Sequence, residues 1–99
     1  MTKIKKCIEH INEELCGAKE YAEKYIENKA KGNSQWANRY KEMANDELKH
    51  AMYLHEKLTQ DIEEISKVFN PTEEMQEEWD KSHKKYAEKT AWIKMMLTM

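Results

Sequence analysis

Apolar residues recur every three or four positions through two long segments of this chain, and only a four-residue break separates the segments. The first stripe is Ile4, Ile8, Ile11, Leu15, Ala18, Ala22 and Tyr25. The second is Trp36, Tyr40, Met43, Glu47, Ala51, Leu54, Leu58, Ile62 and Ile65. Steps of three and four keep one face of an α-helix, because each residue turns the helix by about 100°. In the break, Lys31-Gly32-Asn33-Ser34, Gly32 suits a left-handed helix end and Asn33 or Ser34 can cap the helix that follows. Two helices joined by so short a loop must run antiparallel, since no chain is left to carry the second one elsewhere. The pattern predicts a helical hairpin, with helix one over about 3–31 and helix two over about 34–66.

Asn70-Pro71-Thr72-Glu73 then reads as a break and a new start, with Pro71 at a first helical position, Asn70 as its cap and Glu73 as a capping-box carboxylate. Met75, Trp79, Ser82, Tyr86, Thr90, Ile93 and Leu97 give helix three, over about 71–97, a weaker stripe. Its last turns, AWIKMMLTM, are apolar nearly all round, so they pack on the hairpin or on another subunit. With 99 residues, 2 glycines, 1 proline and 36% charged side chains, the chain is expected to be a single all-α domain over 1–99. The aliphatic stripe is thin for this length, and burying it against a second copy would enlarge the core.

Acids and bases are interspersed along every segment and the net charge is −2, which leaves no basic face for nucleic acid and no polybasic stripe for an anionic membrane. No apolar run is long enough to span a bilayer, and the first residues carry no uninterrupted apolar segment of a secretory signal, so a cytoplasmic location is expected. Cys7 and Cys16, nine positions apart on one helix, are separated by about 13.5 Å of rise and project from opposite faces. They cannot bridge each other and read as structural thiols of a reducing compartment.

Three ionisable residues interrupt the stripes. Glu47 falls four after Met43 and four before Ala51, and His50 four before Leu54, so both project from the side of helix two assigned to the core. Glu14 has the same position on helix one, between Ile11 and Ala18. A carboxylate buried without a partner takes up a proton or finds a cation. Counted from the loop, Glu14 and Glu47 stand at comparable heights on antiparallel neighbours, so they can meet. Gly17, inside helix one, costs roughly 1 kcal/mol against Ala, which points to close approach of another helix near this level. His10, one turn before Glu14, could approach a metal held there, but the reading preferred for it is a surface histidine; His55, His83 and Asp80 also read as surface residues.

From Ile11 to Glu56 the chain resembles one half of a rubrerythrin or bacterioferritin, members of the ferritin-like di-iron family. In that family a helix-one Glu is followed seven residues later by a Tyr and about 33 residues later by a Glu-x-x-His on helix two. Glu14, Tyr21, Glu47 and His50 stand at those places here. The family repeats the pattern on two further helices, whereas this chain has no fourth helix and offers only Asp80 and His83 on its third. The resemblance therefore implies half a site per chain, completed by a homodimer as a four-helix ferritin-like bundle. Paired copies of Glu14, Glu47 and His50 would be the metal ligands and the catalytic set, with the Glu47 pair bridging, Glu14 terminal and His50 capping each ion. Four carboxylates would balance two divalent ions, and the mixed oxygen and nitrogen donors suit iron, with manganese as the other candidate. Tyr21 and Asp46 would support the ligands, Tyr21 through its hydroxyl and Asp46 through an imidazole or a Tyr across the interface.

The expected activity is oxidation of Fe(II) by O2 or peroxide at a di-iron site shared between two subunits. The short dimerising chain is similar in architecture to the encapsulated ferritins, which admits a higher homo-oligomer and an enclosing shell as partners, although no residue here specifies a shell. Two other readings stand beside it: a helical protein-interaction module whose Glu-x-x-His is structural, and a metal-binding bundle without turnover.

Overall fold

The computed structural model describes residues 2–99, which form three helices: α1 (Thr2–Ala30), α2 (Ser34–Val68) and α3 (Glu73–Met96), with no strand among them. The turn between α1 and α2 follows from its sequence. Gly32 adopts φ +76°, the left-handed conformation that closes a helix without steric cost to a glycine. Its N–H donates to the Lys29 carbonyl at 3.1 Å and the Asn33 N–H donates to the Asn28 carbonyl at 2.9 Å, the paired bonds of a Schellman end. Asn33 then caps the next helix, its Oδ1 accepting from the Trp36 N–H at 3.3 Å. One residue thus closes α1 and opens α2, and the hairpin is antiparallel as expected.

α3 begins later than the sequence reading placed it. Thr72, not Asn70, is the cap: its backbone is extended and its Oγ1 accepts from the Met75 N–H at 3.2 Å. Pro71 biases the residue before it away from helical backbone, which leaves the first competent cap on its far side. With Thr72 as cap, Glu73 no longer sits three residues on to close a capping box. It lies with Glu74 in the first turn, where a carboxylate is favoured by the helix dipole.

α3 returns alongside α1 and parallel to it. At one end Ile4 and Ile8 line an apolar cavity of about 240 Å³ together with Pro71, Met75 and Trp79, and at the other Lys29 Nζ donates to the Met99 carbonyl at 2.8 Å. The three rods make a slender bundle of 55 × 17 × 17 Å. Its largest wholly buried side chains come one from each helix: Leu15, Leu58 and Ile93. The α1 stripe is buried from Ile11 to Tyr25, and the α3 stripe is buried or half-buried at every predicted position. The last turns divide: Ile93, Met96 and Leu97 dock on the hairpin, while Trp92, Met95 and Met99 remain exposed.

On α2 the core face is rotated from the predicted one. Ala37, Ala44 and Leu48 are buried with Ala51 and Leu58, while Trp36 is 44% exposed. Small alanines allow α1 and α2 to approach closely, so the buried line follows Ala37, Ala44 and Ala51 instead of the bulkier Trp36, Tyr40 and Met43. Cys7 donates its thiol to the Leu54 carbonyl at 3.6 Å, and both cysteines are free. Burial and the nearby Asp61 carboxylate push the Cys7 thiol above its ordinary value, the opposite of what a reactive thiolate needs. Among the described residues no helix is long and apolar enough to cross a membrane.

Candidate metal centre

The antiparallel hairpin brings Glu14 of α1 level with Glu47 and His50 of α2. One ligand atom from each of the three lies within 4.8 Å of the others, the only such group of three or more metal-ligating side chains among the described residues. His50 Nδ1 is 3.5 Å from Glu14 Oε2, and His10 Nε2 is 3.2 Å from Glu14 Oε1. An imidazole nitrogen therefore stands beside each oxygen of the Glu14 carboxylate. His10 is exposed, as the preferred reading has it, and it also stands against Glu14, as its spacing of four residues on the same helix face allows, although it is not one of the three converging ligands.

The acids are not buried in the core as the stripe had placed them. No polar or charged residue is fully buried among the described ones: Glu14 and Glu47 are part-buried and the His50 side chain is 54% exposed. The rotation of α2 explains this. With Leu48 turned into the core, Glu47 stands about 100° round from it, at the rim of the hairpin. Ile8, which faces α3 across the cavity, lies about 120° round α1 from Glu14, and His55, stacked on the α3 ring of Tyr86, lies about 140° round α2 from His50. The constellation thus occupies the side of the hairpin that α3 leaves open.

Gly17 is adjusted to this site by the carboxylate itself. A Cβ at Gly17 would stand 3.1 Å from Glu47 Oε2, and the next nearest atoms are also of the Glu47 side chain. The space predicted for an approaching helix is therefore space for the Glu47 carboxylate.

The two acids shift each other's titration in opposite directions. A hydrogen bond with Glu14 is the main cause that raises the Glu47 carboxyl above its ordinary value, reinforced by burial and by the Glu14 charge. The same bond holds Glu14 below its ordinary value, against burial and with help from the positive ends of His50 and His10. Of the two, Glu47 therefore holds a proton more tightly than an ordinary carboxyl and Glu14 less tightly. Two carboxylates converging in this way make a point of high negative potential, which a divalent cation can occupy. The donors fit such an ion: two carboxylate oxygens and one imidazole nitrogen, a set suited to iron, manganese or zinc and not to thiolate-seeking metals.

Tyr21 is half-buried and stacks on Tyr40, with ring centroids 6.2 Å apart and planes 26° apart. Its hydroxyl makes no hydrogen bond to Glu14 or Glu47 among the described residues, so within one chain it packs beside the site without touching a ligand. Asp46 is exposed and makes no hydrogen bond to His50; its effect is through charge, which helps to raise Glu47. No protein-family model, no curated protein and no solved structure matches this chain.

Proposed function

We propose that this chain is a ferritin-like protein that pairs with a second copy to hold two iron ions and oxidises Fe(II) with O2 or peroxide. The observation that carries the reading is the convergence of Glu14, Glu47 and His50, from two helices, on one point. Three ligands are half of what a six-ligand, two-metal carboxylate site uses, with one Glu-x-x-His and one lone Glu from each hairpin. The open side of the hairpin supports pairing there. Trp36, eleven residues before Glu47 and so within about 20° of it around α2, is 44% exposed, and Met43 between them is half-buried. Covering that face would bury this apolar surface and the carboxylates together.

Bound iron would supply the electron-transfer chemistry. This chain's residues have three tasks. Glu14 and Glu47, with their copies, bring four negative charges against two divalent ions, so the covered site is neutral. Glu47 must be deprotonated to act as a ligand, and it holds its proton more tightly than an ordinary carboxyl, so binding weakens in acid. His10 and His50 stand beside the two oxygens of the Glu14 carboxylate, and contacts of that kind would reduce the cost of ordering it for the ion.

A second reading has its own observation. The Glu14 carboxylate already has an imidazole beside each oxygen and Glu47 beside it, so the constellation can stand as a metal-free polar network in a helical interaction module. Fe(II) mixed with metal-free protein in air separates the two. A di-iron oxidase gives an Fe(III) absorbance that rises faster than in buffer, with one iron bound per chain, and Glu47→Ala loses both. Iron binding and oxidation equal to wild type in Glu47→Ala would refute the assignment.

A further inference from the structure

On the other side of α2 a second pair of imidazoles meets, in a place the first site does not use. His55 Nε2 of α2 lies 2.9 Å from His83 Nδ1 of α3, a bond across 28 residues of sequence. The His55 ring is fixed in orientation. It lies flat on Tyr86, 4.1 Å between centroids and 9° between planes, and is stacked more loosely on Trp79 at 5.7 Å and 24°. The backbones of α2 and α3 approach less closely than those of α1 and α3, so side chains such as these connect the two helices.

Two imidazole nitrogens at hydrogen-bond distance, one from each helix, need only a small turn of one ring to reach a single ion at metal–nitrogen bonds of about 2.0–2.1 Å. Imidazole is a favoured ligand of Cu(II), Ni(II) and Zn(II). One ring donates and the other accepts through an unprotonated nitrogen, and burial together with His83 keeps His55 below its ordinary value. To bind an ion, the donating ring moves its hydrogen to its other nitrogen, so both facing lone pairs become available with no net change of charge.

We propose that His55 and His83 form a second site for a divalent transition-metal ion that favours imidazole, which ties α3 to α2. His83 lies on the exposed side of α3, where its ring can turn to direct its lone pair at the ion and where water fills the remaining positions. Tyr86 and Trp79 hold His55 while this happens, and the bound ion takes over from the hydrogen bond as the link between the helices.

The probe is Cu(II), added to the full chain carrying Glu14→Ala and His50→Ala, so that the carboxylate site cannot compete and the outcome does not depend on the function proposed for it. Electron paramagnetic resonance should show hyperfine coupling from two imidazole nitrogens, and the melting temperature should rise with copper. His83→Ala, at an exposed position, and His55→Phe, which keeps a ring on Tyr86, should each leave one nitrogen coupled. Each should weaken Cu(II) binding by at least about tenfold, the loss that removal of even an outer partner of a metal ligand produces. Undiminished copper affinity in both variants, or a spectrum lacking the two-nitrogen pattern in the parent, would overturn the proposal.

Discussion

Replacing Gly17 by Ala should stabilise the metal-free protein and weaken its metal site, two effects of opposite sign from one methyl group. Gly17 lies inside α1, where a glycine costs about 0.8–1.0 kcal/mol relative to alanine through lost backbone entropy. The added Cβ would stand 3.1 Å from Glu47 Oε2. That contact is too tight to keep, but the atom it meets is the far end of a flexible side chain on an open face, so a shift of a few tenths of an ångström relieves it. Most of the helix gain should survive, and a gain near 1 kcal/mol raises the melting temperature by about 4–8 °C in a domain of this size. The carboxylate that moves is a proposed ligand, and a bridging oxygen tolerates little displacement. Thermal melts of Gly17→Ala without metal, and Fe(II) titrations under nitrogen, read the two effects separately. A variant that melts higher and binds iron as tightly as wild type would refute the placing of Glu47 Oε2 at the metal. A variant that melts lower without metal would show that the carboxylate is held rigidly.

Other substitutions test the electrostatics and the helix ends. Because Glu47 is raised above its ordinary value, its contribution to stability falls as pH rises through its folded value, while the lowered Glu14 contributes less as pH falls. Glu47→Gln keeps a hydrogen on that group at every pH, so metal-free Glu47→Gln should be more stable than wild type at neutral pH in urea melts, yet should not bind iron. His55 is lowered from 6.5 by burial and by His83, so the unfolded chain takes up the proton first and stability should drop as pH falls from 6.5 toward the folded value. His55→Phe should flatten that acid limb in melts across pH 5 to 7, a range set by the titration of histidine at about 6.5. Thr72→Ala should cost about 1 kcal/mol through loss of the α3 cap, whereas Asn70→Ala should stay within about 0.5 kcal/mol in the same denaturant assay.

The hairpin was legible because its signals are local. Gly32 and Asn33 specify the turn by their own conformational and hydrogen-bonding preferences, and the α1 stripe carries the three-and-four spacing through Ile11, Leu15, Ala18 and Ala22. The rotation of α2 was not legible. Ala37 and Ala44 are too small to weigh in a hydrophobic pattern, yet their smallness is what lets the helices approach, so the larger Trp36 and Met43 misdirected the phase. Glu14, Glu47 and His50 could be grouped from spacing and hairpin geometry alone, since a short loop fixes the register. Their exposure could not, because it depends on that rotation. The meeting of His55 with His83 depends on how α3 returns along the hairpin, which Asn70-Pro71-Thr72 does not determine. Tyr21 illustrates the same limit: its spacing from Glu14 put it near the site, but Tyr40 on α2 decides which way its ring turns.

The central claim is that two copies of this hairpin close around a pair of ions held by Glu14, Glu47 and His50. X-ray diffraction from crystals grown with Fe(II), recorded at the iron absorption edge, tests it most directly. The account predicts two anomalous peaks for every two chains, each bonded to oxygens of Glu14 and Glu47 and to a nitrogen of His50 at the interface between copies. Iron bound elsewhere, or Glu14 and Glu47 free of iron on a solvent-facing hairpin in crystals grown with it, would contradict it.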